Sequence, residues 1–315
     1  MNKKSVLVTG GAGFLGSYLC DQLLKKNYKV YCLDNLFSGQ LKNINKFSNE
    51  SDFIFIEQDI CDLKFNYKVD QVYNLACPAS PIHYQADPVK TIKTNFLGSI
   101  NVLEIAKKNK AKILQASTSE VYGDPSISPQ NEQYWGNVNP IGIRSCYDEG
   151  KRAAETLFFD FYRQYNLDIK VCRIFNTYGP YMAQNDGRVI SNFIIQALKN
   201  KSLNIYGDGS QTRSFCYVND LIKGLIQIMD TSNIFTGPIN LGNDTEISVK
   251  DIADKIIVLT KSKSKINYID PVSDDPMQRK PDLTLAKNTI GWNPEVNIDD
   301  GINLTIDYFK KELKI

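Results

Sequence analysis

Two residues whose types suit proton transfer lie four positions apart in this 315-residue sequence. Tyr147 and Lys151 form a Tyr-x-x-x-Lys spacing inside a segment with a helical pattern. Residues i and i+4 share one face of a helix, so the ammonium group of Lys151 is expected beside the phenol of Tyr147. A free phenol titrates near ~10, and a neighbouring cation stabilises its phenolate. The spacing therefore predicts that Tyr147 acts as a base at neutral pH.

A base of this kind needs a hydroxyl partner, because the spacing alone occurs by chance in many helices. The string Ser117-Thr118-Ser119-Glu120 follows an apolar, strand-like segment at 111–117, upstream of Tyr147. The end of a buried strand can present such a hydroxyl group to a helix that packs beside it. The two signals together predict a reactive centre.

A glycine-rich turn supplies a second kind of chemistry near the start of the chain. Gly10, Gly13 and Gly16 follow the strand-like residues 5–9 and open a helical pattern at 14–26. Glycines at this spacing permit a tight turn and a close approach of the backbone to a pyrophosphate, which then lies at the positive end of the helix. The turn predicts a dinucleotide site.

Carboxylates at two predicted strand ends favour a particular dinucleotide. Asp34 and Asn35 end the second predicted strand, and a carboxylate there binds the adenosine ribose and repels a 2′-phosphate. No Arg or Lys occurs at 36–40 to neutralise such a phosphate. The sequence therefore favours NAD over NADP. Asp59 and Ile60 follow the third predicted strand, where they either meet the adenine or form a solvated strand end.

The elements that must position these residues alternate along the first half of the chain. Short apolar segments predict strands, and longer periodic segments predict helices at 14–26, 88–108 and 146–166. This alternation predicts an α/β fold, a Rossmann-type doubly wound parallel sheet. We expect an NAD-binding domain at 1–175 and a smaller mixed α/β substrate-binding lobe at 176–315, with segments near 215–242 returning to the first domain. The predicted strands are 5–9, 29–34, 53–57, 71–76, 111–117 and 169–175.

Composition excludes several classes of function. The 37 Lys and Arg residues nearly balance 35 Asp and Glu residues, so no general attraction to nucleic acid or to an anionic membrane is expected. No apolar run approaches the ~20 residues that span a bilayer, and no targeting segment is evident. The seven cysteines are never spaced as Cys-x-x-Cys, which argues against a disulfide framework and against a zinc or other metal site. We expect a cytoplasmic protein, and a surface position for the single histidine, His83.

These motifs resemble those of the extended short-chain dehydrogenases/reductases that act on nucleotide sugars. Longer strings resemble the UDP-glucuronate decarboxylases in particular, and the resemblance covers nearly the whole chain. Small departures occur at Leu15, Tyr18 and Tyr181, the last where these enzymes often carry Arg. The strings are Asn74-Leu-Ala-Cys-Pro-Ala-Ser-Pro81, Ser117-Thr-Ser-Glu-Val-Tyr-Gly-Asp-Pro125, Tyr134-Trp-Gly-Asn-Val-Asn-Pro140, Arg144-Ser-Cys-Tyr-Asp-Glu-Gly-Lys151, Arg173-Ile-Phe-Asn-Thr-Tyr-Gly-Pro180, Asp186-Gly-Arg-Val-Ile-Ser-Asn-Phe193 and Tyr206-Gly-Asp-Gly-Ser-Gln-Thr-Arg-Ser-Phe215.

The resemblance implies oxidation of UDP-glucuronate at C4 by NAD⁺, loss of the C5 carboxyl group as CO₂, and reduction of the 4-keto intermediate to UDP-xylose. It also implies a homodimer formed through 88–108 and 146–166. The catalytic residues would be Thr118, Ser119, Glu120, Tyr147, Lys151 and Arg279. The cofactor would contact Gly10, Gly13, Phe14, Leu15, Gly16, Asp34, Asn35, Phe37, Ser38, Gly39, Asp59, Ile60, Leu75, Cys77, Thr94, Tyr147, Lys151, Thr177 and Arg188. The UDP-sugar would contact Ser80, Tyr84, Lys93, Asn176, Arg213, Tyr217 and Arg279.

Other activities stay open at this point. A 4-epimerase or 4,6-dehydratase has the same fold, but the resembling dehydratases place Asp where this chain has Ser119, which cannot protonate a leaving hydroxyl group. Glu120 could relay a proton or position water near C5, or it could cap the loop. A decarboxylase that releases the 4-keto pentose and NADH is a close variant. A non-catalytic NAD-sensing protein would not need Thr118, Tyr147 and Lys151 together.

Overall fold

The computed structural model describes residues 3–270 and 278–315. The strands, in chain order, are β1 (Ser5–Thr9), β2 (Lys29–Asp34), β3 (Phe53–Glu57), β4 (Gln71–Asn74), β5 (Lys112–Thr118), β6 (Ile169–Ile174), β7 (Thr177–Tyr178), β8 (Leu203–Tyr206), β9 (Thr212–Ser214), β10 (Cys216–Tyr217), β11 (Ile239–Leu241), β12 (Glu246–Ser248), β13 (Ile266–Ile269) and β14 (Gln278–Arg279). The helices are α1 (Phe14–Lys25), α2 (Leu41–Ile44), α3 (Pro81–Ala86), α4 (Pro88–Lys93), α5 (Ser99–Asn109), α6 (Ser145–Tyr165), α7 (Val189–Leu198), α8 (Val218–Met229), α9 (Val249–Thr260), α10 (Thr284–Ile290) and α11 (Ile298–Leu313).

A seven-stranded parallel sheet, in the order β11-β6-β5-β4-β1-β2-β3, forms the centre of the larger lobe. Its strands are apolar because helices cover both faces and exclude water from them. One apolar core, which includes Leu19 and Leu225, lies on the side of α1 and α8. A second core, which includes Val102 and Phe158, lies on the side of α5 and α6. The predicted doubly wound parallel sheet is confirmed.

Strand order reverses at the centre of this sheet. From β1, the chain adds β2 and β3 on one side and then crosses to β4 on the other side. In open α/β sheets the crevice at such a switch point, beyond the carboxyl ends of the strands, is where ligands bind. The topology thus places a site beyond Thr9, Asn74 and Thr118.

Small sheets form most of the second lobe. β9 pairs with β12 in an antiparallel and with β14 in a parallel arrangement, and β8 pairs with β13. The chain returns to the large sheet after β10, since α8 packs against α1 and β11 pairs with β6 at the sheet edge. The second lobe is therefore mixed α/β, as expected.

The helix predicted over 88–108 is present as a helical run over 88–109, but its hydrogen-bond pattern is not α-helical throughout. A π-helical turn, Thr94–Gly98, separates α4 from α5. Gly98 lies against Ile60, where a β-carbon would come within 2.3 Å of the Ile60 Cδ1 atom, and the Thr94 hydroxyl donates to the Lys90 carbonyl at 2.8 Å. The turn is thus bounded by a side-chain bond to the backbone at its start and by close packing on Ile60 at its end. Several predicted strand ends also shift, because β4 ends at Asn74 and β6 ends at Ile174.

Candidate active site

A cavity lies beyond the carboxyl ends of β1, β2, β4 and β5, at the switch point of the sheet. It runs from Asp34 and Asn35, past the glycine-rich turn, to Thr118 and Tyr147. Residues that are far apart in the sequence thus line one continuous space, with a carboxylate at one end and hydroxyl groups at the other.

The glycine-rich turn lies between β1 and α1 and forms the floor of the cavity. Gly10 has a φ of +69°, and a β-carbon there would lie 2.9 Å from the Leu75 carbonyl carbon. At Gly16 a β-carbon would lie 2.1 Å from the Gly10 oxygen. Gly13 precedes α1 without a side-chain cap, and the first turn of α1 carries no acidic residue. The backbone N–H groups at this helix end therefore suit the oxygens of a pyrophosphate.

The end of β2 supplies a carboxylate beside this turn. Asp34 accepts hydrogen bonds from the backbone N–H groups of Ala12 at 3.0 Å and Leu36 at 2.8 Å. Burial raises the pKa of Asp34, although these bonds act in the opposite direction. A β-carbon at Gly39 would lie 2.6 Å from the carboxylate, so glycine there permits the close approach of the loop. The position suits the hydroxyl groups of an adenosine ribose.

Asp59 and Asn35 form the neighbouring wall of the cavity. The Asn35 amide donates to the Asp59 carboxylate at 2.8 Å, and the Lys90 ammonium pairs with that carboxylate at 2.6 Å. Burial opposes ionisation of Asp59, but the bonds from Lys90, the Cys61 N–H group and Asn35 lower its pKa to about 2. Asp59 is therefore an ion-paired residue of the cavity wall. The sequence contains no local signal for Lys90, because α4 brings it from another segment.

The reactive centre lies at the other end, where α6 passes the end of β5. Tyr147 and Lys151 are both buried, and the Lys151 ammonium lies 5.8 Å from the centre of the Tyr147 ring. This ammonium donates to the Ala116 carbonyl at 2.8 Å. Burial is the largest influence on the pKa of each residue: it raises the pKa of Tyr147 and lowers that of Lys151, while the Thr118 hydroxyl acts to lower that of Tyr147. Burial thus acts against the phenolate form of Tyr147 in this structure, and the role of Tyr147 as a base stays a prediction.

A carboxylate held by two arginines lies next to this centre. Arg279 donates two hydrogen bonds to Glu120, one of 2.8 Å, and the Arg144 guanidinium lies 2.6 Å from the same carboxylate. Burial opposes ionisation of Glu120, but Arg279 and Arg144 lower its pKa to about 2. Burial and the nearby Glu120 instead raise the pKa of Asp148 to about 7. Two neighbouring carboxylates, one partly buried and one buried, thus have pKa values shifted in opposite directions.

The wall formed by α3 carries the single histidine. His83 lines the cavity, and its Nδ1 atom lies 2.8 Å from the Ser80 hydroxyl. The expected surface position is wrong, because α3 begins at Pro81 and turns His83 towards the cavity. The next residue, Tyr84, stacks on Tyr147 with ring centres 5.0 Å apart. This wall therefore contacts the reactive tyrosine directly.

Most of the residues predicted from the sequence line this cavity. They are Gly10, Gly13, Phe14, Leu15, Gly16, Asp34, Asn35, Phe37, Ser38, Asp59, Ile60, Leu75, Cys77, Ser80, Thr94, Thr118, Ser119, Glu120, Tyr147, Lys151, Asn176, Thr177 and Arg188. Arg188, the last of these, donates to both carboxylate oxygens of Asp186 through its Nε and Nη2 atoms.

Six predicted residues lie outside the cavity lining. Tyr84 and Arg279 contact lining residues, as described, and Gly39 lies against Asp34. Arg213 pairs in register with Arg279 between β9 and β14. Tyr217 packs against Tyr178, with ring centres 5.7 Å apart. Lys93 is exposed on the last turn of α4, and the structure does not bring it to the site.

Three further observations concern metal ions, membranes and thiols. Within residues 3–270 and 278–315, no cluster of three or more His, Cys, Asp and Glu side chains could hold a metal ion. No helix in the same residues is long and apolar enough to cross a bilayer. All seven cysteines are free thiols.

Comparisons with known proteins find relatives whose names all refer to nucleotide sugars. The family model described as GDP-mannose 4,6 dehydratase matches residues 7–305. UDP-glucuronic acid decarboxylase 6 of Arabidopsis thaliana is 50% identical over 311 residues, which are 98% of this chain and 90% of the relative. UDP-glucuronic acid decarboxylase 1 of Danio rerio is 48% identical over 313 residues, 99% of this chain and 74% of the relative. Among solved structures, a UDP-glucuronic acid 4-epimerase from Bacillus cereus in complex with UDP-glucuronic acid and NAD has a TM-score of 0.88 at 29% identity, covering 98% of this chain and 99% of that one.

Proposed function

The chain belongs to the family of UDP-glucuronic acid decarboxylases, and we propose that it converts UDP-glucuronate to UDP-xylose and CO₂ with NAD as a recycled cofactor. The observation that carries this proposal is the cluster of Glu120, Arg144 and Arg279 beside Thr118 and Tyr147. Such a cluster could supply cations to a sugar carboxylate close to hydroxyl groups that could take the proton of the C4 hydroxyl group, while NAD would accept the hydride. A site for a neutral hexose needs no such cations.

The residues present fit a dinucleotide. The uncapped start of α1 would hold the pyrophosphate, and Asp34 would accept the hydroxyl groups of the adenosine ribose. The nicotinamide of bound NAD supplies a reversible acceptor for the hydride at C4 of the sugar. Lys151, on the α6 face that lines the cavity, would donate to the nicotinamide ribose.

Thr118 and Tyr147 would move the proton. The Thr118 hydroxyl would orient the C4 hydroxyl group, and the Tyr147 oxygen would accept its proton as the C4 hydrogen leaves. Burial raises the pKa of Tyr147, and positive charge in the site would act in the opposite direction by stabilising its phenolate. The later reduction reverses the step, and Tyr147 returns the proton to the C4 oxygen.

Oxidation at C4 makes the sugar a β-keto acid. The bond from C5 to the carboxyl carbon then breaks, its electron pair moves into the C4 carbonyl, and CO₂ leaves. The resulting enolate takes a proton at C5, which gives the 4-keto pentose. The residues named here supply no step that removes a C6 hydroxyl group, since Ser119 has only a weakly acidic hydroxyl.

Arg279 would bind the substrate carboxylate. A second carboxylate beside Glu120 costs free energy unless a cation moves with it, so Arg279 would shift from Glu120 to the sugar. Arg144 would remain on Glu120 and keep that carboxylate ionised. Arg213, in register with Arg279, would contribute to the diphosphate.

The deciding experiment follows both carbon and cofactor. Purified protein is incubated with UDP-glucuronate and NAD⁺, the sugar is followed by proton NMR, and NADH is followed by absorbance. We expect UDP-xylose with only transient NADH. Stoichiometric NADH with a keto pentose would mean an oxidative decarboxylase, and a UDP-sugar that keeps six carbons would refute decarboxylation.

A homodimer is the assembly that the exposed surface favours. Val89, Ile92, Phe96 and Leu97 expose apolar side chains on α4 and the π-helical turn, beside α6. Such a row suits burial against a second copy. Analytical ultracentrifugation should give a dimer, and Phe96→Glu should shift it towards monomer; an unshifted dimer would place the interface elsewhere.

The free thiols favour a cytoplasmic location.

A further inference from the structure

Two distant segments of the chain meet beside the cofactor cavity. Ser80 and His83 line the cavity from one segment, and Asp186 and Arg188 line it from the other. Between these pairs lie Ile82 and Gly187, which touch: a β-carbon at Gly187 would lie 2.6 Å from the Ile82 Cδ1 atom. The Ile82 side chain thus occupies the space that a side chain at position 187 would take. We call this contact the Ile82–Gly187 bridge.

The bridge lies close to the expected position of the cofactor phosphates. The Arg188 guanidinium lies 5.6 Å from the centre of the Phe14 ring, and Phe14 is the first residue of α1. The second segment therefore reaches the start of the helix that forms the phosphate site. A dinucleotide on the glycine-rich turn would have α1 on one side and the two bridged segments on another.

The interactions within each segment are polar, whereas the contact between the two segments is apolar. The first is fixed by the hydrogen bond between Ser80 and His83, and the second by the ion pair between Asp186 and Arg188. The bridge itself is an apolar contact, and Ile82 is 54% exposed. A contact of this size can open, since it carries only part of the free energy of a fully buried isoleucine.

We propose that the Ile82–Gly187 bridge retains the cofactor between the two halves of the reaction and sets how much 4-keto intermediate escapes. This inference rests on the proposed function, because a recycled cofactor must stay bound from the oxidation to the reduction. Opening of the bridge would precede release of NADH. Ile82 is then a residue that determines the product without contacting the reacting atoms.

The test compares Ile82→Ala with Ile234→Ala. Ile234 is also an exposed isoleucine, at 84%, but it lies between α8 and β11 and does not line the cavity. Each protein is loaded with NADH and chased with excess NAD⁺, and dissociation is followed by stopped-flow fluorescence. We expect dissociation about five- to tenfold faster in Ile82→Ala, because alanine cannot reach Gly187, and unchanged in Ile234→Ala. Equal rates in all three proteins would overturn the proposal.

A second measurement links retention to the product. With UDP-glucuronate, Ile82→Ala should accumulate more NADH and 4-keto pentose per UDP-xylose than the parent. Faster NADH dissociation with an unchanged product ratio would refute the link to the product. The dissociation assay needs no turnover, so a parent protein that makes no pentose would refute the proposed function without affecting that result.

Discussion

The two ends of the cavity are held together in different ways. At the adenosine end, Asp34 bonds to backbone N–H groups within the first 36 residues, and glycines allow backbone segments to approach closely. At the reactive end, Glu120 is held by Arg144 and by Arg279, which lies 159 positions away. The position of Asp34 is thus set by hydrogen bonds to nearby residues of the chain. At the reactive end, a charged substrate must change the ion pairs between Glu120 and the two arginines. Substitutions at the adenosine end should therefore affect cofactor binding, and substitutions at the reactive end should affect substrate binding or turnover.

The largest effect should come from Tyr147→Phe at the reactive end. Removal of the phenol oxygen removes the general base, which typically costs ~10²–10⁴-fold in rate. NAD affinity should change little, because the adenosine end is untouched. Turnover is measured by NMR and NAD binding by fluorescence quenching. Tyr165→Phe, at the exposed end of the same helix, should behave like the parent. A Tyr147→Phe rate within a few-fold of the parent would show that another group is the base.

Arg279→Ala should lower the affinity for UDP-glucuronate by about 10–100-fold, the loss of a charge-assisted interaction. The affinity for UDP-glucose, which has no carboxylate, should fall far less. The adjacent Lys280→Ala is the control, since Lys280 pairs with Glu246 instead of Glu120. Both affinities can be measured by calorimetry in the presence of NAD⁺. Equal weakening for the two sugars would place Arg279 on the diphosphate.

At the adenosine end, Asp34→Asn should lower NAD affinity by about tenfold, the loss of one strong hydrogen bond. The parent should bind NAD more tightly than NADP, and the variant should lose much of that preference. The maximal rate at saturating NAD should stay near that of the parent. Titration of both cofactors by fluorescence quenching provides the test. Tighter NADP binding by the parent would contradict the role of Asp34.

The smallest effect concerns stability and pH. Burial and Glu120 raise the pKa of Asp148 to about 7, well above that of an unfolded aspartate. The folded state therefore holds the extra proton between about pH 4 and pH 7, and the free energy of unfolding falls as pH rises through this window. Asp148→Asn removes this dependence. The melting temperature of the variant minus that of the parent should increase by several degrees between pH 5 and pH 8. A constant difference would mean that Asp148 is ionised throughout.

The sheet and the adenosine end could be predicted because local sequence patterns determine them. β1, the glycine-rich turn and Asp34 form one continuous stretch, so their spacing fixes their geometry. The Tyr147–Lys151 spacing likewise holds because both residues lie on one face of α6. In each case the interacting groups are close in sequence.

Contacts between distant segments could not be predicted in this way. Arg144 and Lys90 are single residues whose partners, Glu120 and Asp59, come from other elements. The inward direction of His83 depends on where α3 begins. The protonation of Tyr147 depends on burial, which the spacing of Tyr147 and Lys151 does not report.

The π-helical turn between α4 and α5 determines in which direction around the helix axis the side chains of α5 point. One residue added to an α-helix turns everything beyond it by about 100° around the axis. Thr94, at the start of the turn, faces the cavity, whereas Val102 and Leu103 of α5 face the core behind the sheet. Asn95, within the turn, lies so close to α6 that a β-carbon at Gly150 would come within 2.8 Å of its amide nitrogen. If one residue were deleted from this turn, Thr94 could not face the cavity while Val102 and Leu103 face the core. The deletion would also shift α6, the helix that carries Tyr147.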